Sequence, residues 1–341
     1  MKRVLVTGGA GFIGSNFLQY ILENHLDIQA VNLDLLTYAG NPENLSRFAG
    51  DSRYCFIHGD VCDRAILRRV FSEFEIDTVV HFAAESHVDR SITNPDVFLT
   101  TNVLGMQALL ETAQAFWKLR PDDKYSREYR KGVKYLQIST DEVYGALGAE
   151  GTFSETAPLA PSSPYSASKA AADLLVMAYH RTYGLPVNIT RCSNNYGPYQ
   201  YPEKLIPLMI CRAVSGQALP VYGDGLQIRD WLHVSDHCTA IEAVLKHGRA
   251  GEVYNIGGHN EKTNLEIVRS ILREVGKPES LITYVPDRLG HDRRYAIDNT
   301  KITTELGWQP ACSFETGIRE TIHWYLENRD WLKKIEERKS L

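Results

Sequence analysis

The chain has 341 residues, 43% of them hydrophobic and 23% charged, and a formal net charge of −5. These values describe an ordinary globular chain and argue against a nucleic-acid-binding or membrane-surface protein. The six cysteines (Cys55, Cys62, Cys192, Cys211, Cys238 and Cys312) nowhere stand at C-x-x-C spacing, so neither a disulfide framework nor a metal site is expected, and a cytoplasmic location is. Met1-Lys2-Arg3 leads straight into the short apolar run Val4-Leu5-Val6-Thr7. That run is too short for a leader's core, and no later segment approaches the ~18 apolar residues of a membrane span.

Taken in order, the first half alternates strand-like and helix-like patterns. Val4 to Thr7 reads as a buried strand, and Gly11 to Glu23 as a helix with apolar residues at Phe12, Ile13, Phe17, Leu18, Ile21 and Leu22. Strands are expected at Ala30 to Leu33, Tyr54 to Ile57, Thr78 to Phe82, Val133 to Ser139 and Val187 to Thr190. Helices are expected at Arg64 to Phe74, along one long run from Pro95 to Trp117, and from Ser166 to Tyr183. The charged stretch Leu119 to Gly132 reads as a solvated loop. After Tyr196 the rhythm becomes irregular, punctuated by Gly, Pro and Tyr. The expectation is an α/β protein with a doubly wound parallel sheet over residues 1–195. A smaller C-terminal α/β region, 196–341, would bind substrate, with room for the chain to return to the first region.

Thr7-Gly8-Gly9-Ala10-Gly11-Phe12-Ile13-Gly14 lies between the first strand and the first helix. Gly8 suits the tight turn, Gly11 the close approach of a pyrophosphate, and Gly14 the packing of helix on strand. Unpaired N–H groups at the helix start and the positive end of its dipole face the anion. Asp34 closes the next strand, 20 residues after Gly14. A carboxylate there accepts from both ribose hydroxyls and repels a 2′-phosphate, so a Rossmann-type site for NAD rather than NADP is expected. Asp60, at the end of the third strand, suits either the adenine amine or a cap for the following helix.

Tyr165 and Lys169 stand four apart on a predicted helix and so share one face. A free tyrosine, with a pKa near ~10, is too weak a base at neutral pH, and lowering it by about three pH units takes roughly 4 kcal/mol. One ammonium at ~4 Å supplies about that much at an effective dielectric near 20. The charge of the oxidised nicotinamide would add to it. The pair is therefore expected to deprotonate an alcohol while hydride leaves its carbon. On these motifs the chain resembles the extended, sugar-nucleotide-modifying branch of the short-chain dehydrogenase/reductase superfamily. That resemblance implies that Thr140 hydrogen-bonds the substrate hydroxyl; the local alternative is a strand-end cap.

Asp141 and Glu142 follow the strand ending Ile138-Ser139-Thr140. By local pattern such a pair reads as a solvated turn or a helix cap. In an active site, one carboxylate can remove the proton made acidic by a neighbouring ketone while the other, kept protonated by its neighbour's charge, protonates a departing hydroxyl. Glu142 is assigned as base at C5 and Asp141 as acid at the C6 hydroxyl. Adjacent side chains in a strand point oppositely, so the segment must leave the strand by Thr140.

Thr140-Asp141-Glu142-Val143-Tyr144-Gly145 resembles the signature of the dTDP-glucose 4,6-dehydratases. Leu36-Thr37-Tyr38-Ala39-Gly40-Asn41, Ala83 to Ser91, Arg191 to Gln200, Gln227 to Leu232 and Gly290 to Asp298 match that family in order. The resemblance implies a homodimer through a four-helix bundle, dTDP-glucose as substrate and NAD as cofactor. It implies cofactor contacts at Phe12, Ile13, Asp34, Leu35, Thr37, Asp60, Val61, Ala83, Ala84, Ser86, Thr101, Tyr165, Lys169 and Asn195. It implies substrate contacts at Ser86, Asn194, Lys204, Leu205, Arg229, Asn264, Arg288 and His291, besides the catalytic trio Thr140, Asp141 and Glu142. The forked guanidinium of Arg229 suits a diphosphate; its alternative is a salt bridge to Asp230. Leu35 and Leu289 depart from the family's usual lysine and proline. The competing readings are a UDP-hexose 4-epimerase, which has no use for the carboxylate pair, a dehydratase of another nucleotide sugar, and a catalytically silent NAD-binding scaffold.

Overall fold

Twelve strands form three sheets in the computed structural model, which describes residues 1–339. In chain order they are β1 (Arg3–Thr7), β2 (Gln29–Asp34), β3 (Tyr54–His58), β4 (Thr78–His81), β5 (Lys134–Thr140), β6 (Val187–Cys192), β7 (Asn194–Tyr196), β8 (Leu219–Tyr222), β9 (Ile228–His233), β10 (Val253–Ile256), β11 (Glu261–Thr263) and β12 (Ile282–Val285). The main sheet has the order β10-β6-β5-β4-β1-β2-β3 and is parallel throughout. Its central strands bury nearly every side chain, as a sheet covered on both faces requires. The chain reverses direction across the sheet between β1 and β4, and such a switch point opens a crevice at the strands' C-terminal ends.

Twelve helices surround these sheets: α1 (Phe12–Asn24), α2 (Arg64–Phe74), α3 (Val88–Thr93), α4 (Pro95–Leu99), α5 (Met106–Trp117), α6 (Pro164–Tyr183), α7 (Leu205–Val214), α8 (Val234–His247), α9 (Asn264–Glu274), α10 (Thr300–Leu306), α11 (Phe314–Glu327) and α12 (Arg329–Lys339). One face of the main sheet carries α1 and α8, sealed by Phe17, Leu18, Ile21, Ile241 and Val244. The other carries α2, α5 and α6 around Leu67, Phe71, Leu109, Trp117 and Val176. A third core, with Met209, Ile210, Trp231, Ile271, Ile322 and Tyr325, joins α7, α9 and α11 to the small sheets. β10 and α8 thus bring the C-terminal half back onto the main sheet, and Val253 pairs with Ile189.

The run from Pro95 to Trp117 is not one regular α-helix. Residues Thr100–Gly105 form a π-helical segment between α4 and α5. Its cause is Asn102, a polar residue in an apolar run. The amide accepts from Glu85 N at 2.9 Å, donates to Glu85 O at 3.0 Å and donates to Ser168 Oγ at 2.8 Å. Satisfying those buried groups draws the backbone out of register, and such bulges cluster at functional sites. Among the described residues no helix is long and apolar enough to cross a membrane.

Candidate active site

A cleft of about 320 Å³ opens at the C-terminal ends of β1, β2, β4, β5 and β6, and every residue expected at the cofactor lines it. The glycine turn forms its floor. Gly8 has φ +71, and a side chain there would lie 2.5 Å from Ala83 N. At Gly14 it would lie 2.4 Å from the Gly8 carbonyl, so the helix rests directly on the turn. At Gly11 it would meet only that carbonyl, at 3.3 Å, leaving this backbone open to a ligand. The first turn of α1 has no side-chain cap and no acidic residue, so its N–H groups stay available to an anion. Asp34 accepts from Ala10 N at 2.9 Å and Leu36 N at 2.8 Å, which fixes its carboxylate at the edge of the turn. An uncapped helix start, a bare glycine backbone and an oriented carboxylate fit a dinucleotide. Asp60 does not cap α2. Asp63 does, accepting from Ala65 N and Ile66 N, while Asp60 accepts from Cys62 N and lines the cleft.

The chain leaves β5 at Thr140, and Asp141–Tyr144 form one 3-10 turn. Thr140 Oγ1 accepts from Glu142 N at 3.3 Å, holding the turn, and donates to Asp141 Oδ1 at 3.3 Å. Asp141 is 2% exposed and Oδ2 has no partner. Burial first, then the charges of Glu142 and Asp230, push its carboxyl far above the ordinary range. Glu142 is half-buried. Burial raises it too, but Arg288, Arg229 and Lys204 oppose the rise. Arg229 opposes the rise at Asp141 and Asp292 adds to that at Glu142, so burial is the leading cause at both, and Glu142 has the more cations acting on it.

A reciprocal capping box between Ser163 and Ser166, with Pro164 in the first turn, fixes the start of α6. That start delivers Tyr165 and Lys169 to the cleft. Lys169 Nζ donates to Ile138 O at 2.7 Å. Burial lowers its pKa and Asp173 opposes the change. In the protein by itself, burial and the charge of Glu142 push the phenol of Tyr165 well above its usual range. The positive charge of an oxidised nicotinamide, expected to add to that of Lys169, would act against this rise. His81 lies beneath, buried and held down to about 3, with Nδ1 2.6 Å from Thr7 Oγ1.

Of the residues expected at the substrate, Ser86, Thr140, Asp141, Glu142, Asn194 and Lys204 line the cleft; Leu205, Arg229, Asn264, Arg288 and His291 lie outside its wall. Arg229 and Arg288 still act on Glu142 electrostatically. Arg229 does not pair with Asp230. It donates to Ile228 O and Asp292 O and lies 4.3 Å over the Tyr295 ring, while Asp230 accepts from Gly258 N and Asn260 N. Leu205 opens α7, Asn264 opens α9, and His291 Nδ1 lies 2.6 Å from Asp287 Oδ1. Sequence reasoning missed Tyr38, Glu85, Tyr201 and Glu203, all in the cleft wall. The Arg90 guanidinium stacks 3.6 Å over Tyr38 and lies 3.6 Å from Glu203. Tyr38 and Arg90 belong to stretches whose pattern was already distinctive; Glu203, in an irregular loop, carries no such signal.

The model of the GDP-mannose 4,6 dehydratase family matches residues 5–321. A dTDP-glucose 4,6-dehydratase of Xanthomonas campestris pv. campestris (strain B100) is 55% identical over 344 residues, covering 98% of this chain and 96% of the relative. The crystal structure of dTDP-glucose 4,6-dehydratase from Bacillus anthracis in complex with NAD superposes with a TM-score of 0.89 at 49% identity, covering 98% of this chain and 100% of that one. The UDP-glucose 4-epimerase of Thermotoga maritima gives 0.85 at 29% identity, covering 96% and 99%. The backbone alone therefore does not separate these activities. The chain belongs to the 4,6-dehydratase family.

Proposed function

We propose that this cleft removes water from a nucleotide-linked hexose. The chain is a hydro-lyase that converts dTDP-glucose to dTDP-4-keto-6-deoxyglucose, with bound NAD regenerated in each turnover. The observation that carries the chemistry is the placement of Asp141 and Glu142 on one turn beside Tyr165, with Asp141 the more deeply buried and more cations acting on Glu142. NAD, when bound, accepts hydride from C4 and returns it to C6, so net redox is zero.

The protein's residues move the protons. Tyr165 takes the proton of the C4 hydroxyl, and Lys169 would stabilise the phenolate together with the positive charge that bound NAD would supply. The C4 ketone acidifies C5–H. Glu142, whose rise in pKa Arg288, Arg229 and Lys204 oppose, removes that proton. Asp141, kept neutral by burial, gives its proton to the C6 hydroxyl, which leaves as water. C5 then regains a proton from solvent-exchanged Glu142.

The cofactor is held by the glycine turn at Gly8, Gly11, Phe12, Ile13 and Gly14, by Asp34, Leu35, Thr37, Asp60 and Val61, and by Ala83, Ala84, Ser86, Thr101 and Asn195. The nucleotide sugar is held by Ser86, Asn194, Lys204, Leu205, Arg229, Asn264, Arg288 and His291. Residues 1–195 supply the cofactor side and most of the chemistry, and 196–341 mainly the nucleotide-sugar side. The enzyme works in the cytoplasm as a homodimer through a four-helix bundle. Exposed Leu99, Leu104 and Leu174 on the helical run 95–117 and on α6 support that assembly.

The test is incubation with dTDP-glucose in deuterated water without added NAD. The reading requires a 4-keto-6-deoxy product carrying deuterium at C5. Recovery of the C4 epimer would refute it.

A further inference from the structure

One buried cation touches both halves of this chemistry. Arg191, in β6, is 5% exposed. Its Nε donates to Asp173 Oδ2 at 2.8 Å, and its NH1 donates to the Tyr144 hydroxyl at 2.9 Å. Asp173 is 1% exposed and follows Lys169 by one turn on α6, so the two side chains share a face. Its Oδ1 has no hydrogen-bond partner. Tyr144 is the last residue of the turn that carries Asp141 and Glu142. Its ring is 2% exposed and stacks on Phe153 at 5.1 Å, and its hydroxyl donates to Asn255 Oδ1 at 2.8 Å.

We propose that Arg191 is a positioning residue that ties the tyrosine–lysine helix to the Asp141–Glu142 turn, through Asp173 on one side and Tyr144 on the other. The inference rests on the roles given above to Tyr165 and Glu142. The two groups come from separate stretches of chain, Pro164–Tyr183 and Asp141–Tyr144. Both must address one hexose ring, at C4 and at C5. A misplacement of about 1 Å in either costs on the order of 10²-fold in rate. A planar guanidinium offers donors in a fixed fork, so it sets the angle between two acceptors as well as their distance; a lysine at this position would set only one contact. The Asp173 arm acts on Lys169, whose ammonium it favours. The Tyr144 arm acts only on the turn.

Replacing Arg191 would strand the Asp173 carboxylate in the interior, so the two arms are better tested singly. Tyr144→Phe removes one oxygen and keeps the ring; Asp173→Asn keeps the shape and removes the charge. Holoenzyme of the parent and of each variant is mixed with dTDP-glucose in deuterated water. The rise at 340 nm reports C4 oxidation, deuterium at C5 reports elimination, and thermal melting reports folding. Tyr144→Phe is expected to oxidise C4 within about threefold of the parent but to exchange C5 at least tenfold more slowly, so the 340 nm band builds up. Asp173→Asn is expected to slow oxidation at least tenfold, with no build-up. Equal slowing of both steps in each variant, in parallel with melting, assigns Arg191 a purely structural role and overturns the proposal, as does the absence of any change. A parent that incorporates no deuterium at C5 refutes the underlying dehydratase reading instead.

Discussion

The ammonium of Lys169 donates to the carbonyl of Ile138, two residues before Thr140, at 2.7 Å. This bond stitches α6 to the end of β5, so the tyrosine–lysine face and the carboxylate turn share one support. It also occupies one of the lysine's three donors, leaving the others for a ligand.

Lys169→Met should separate catalysis from stability. Burying an ammonium is costly, and burial lowers the pKa of Lys169. Methionine fills similar space without that cost. Activity on dTDP-glucose should fall by about 10²–10⁴-fold, the usual worth of an acid–base group, while the melting temperature holds or rises. Retained activity, or a large loss of melting temperature, would show that the lysine is structural.

The glycine turn makes a second prediction. In Gly8→Ala the new methyl would press on Ala83 N at 2.5 Å, in a residue already at φ +71. Left-handed strain costs about 1–3 kcal/mol, and the backbone just after β4 cannot give way cheaply. The purified variant should carry much less NAD than the parent, read from its 260/280 nm ratio after denaturation, and should melt several degrees lower. A full complement of NAD would mean that the turn tolerates a side chain.

The carboxylate pair predicts a pH dependence. The folded-state pKa of Asp141 lies well above its unfolded value, because of burial first and then Glu142 and Asp230. Between the two pKa values the folded chain binds the extra proton, so stability falls as pH rises through that window. Below the ordinary carboxylate range, about 4, the burden is absent. Asp141→Asn should therefore melt higher than the parent at neutral pH, by roughly 2 °C per kcal/mol in a chain of this size. The gain should shrink to nothing as pH drops below about 4, while dehydration is lost at every pH. A gain that grows on acidification would place the shift in the wrong direction.

Gly8, Gly14, Asp34, Tyr165 and Lys169 are legible in the sequence because their spacing follows the periods of a strand, a turn and a helix, and each period dictates which side chains meet. The π-helical segment at Thr100–Gly105 is not legible, because it depends on Asn102 meeting Glu85 and Ser168 across the fold. The cap that Thr140 makes on the following turn is legible, because it is local. Glu203 and Tyr201 lie in an irregular loop, where no periodicity says which residue faces the cleft. The Tyr165 phenol depends on spacing and on burial together. Spacing supplied the ammonium but not the burial that opposes it.

The proposed dimer gives the last prediction. Leu174 is 62% exposed, Leu104 56% and Leu99 51%, whereas Leu109 and Leu110 of α5 are fully buried. Leu104 lies in the π-helical segment and Leu174 on α6, which pack on each other. Covering one leucine is worth about 1.5–3 kcal/mol. Two per copy make four across a twofold axis, or about 6 kcal/mol at the lower end, which corresponds to about 10⁴-fold in dissociation constant. Charges at these positions would add a desolvation cost to that loss. The double variant Leu104→Glu, Leu174→Glu should therefore be monomeric by light scattering at micromolar concentration, where the parent is a dimer. Its circular dichroism should be unchanged, because neither side chain belongs to a buried core. A parent that is itself monomeric at that concentration would refute the assembly.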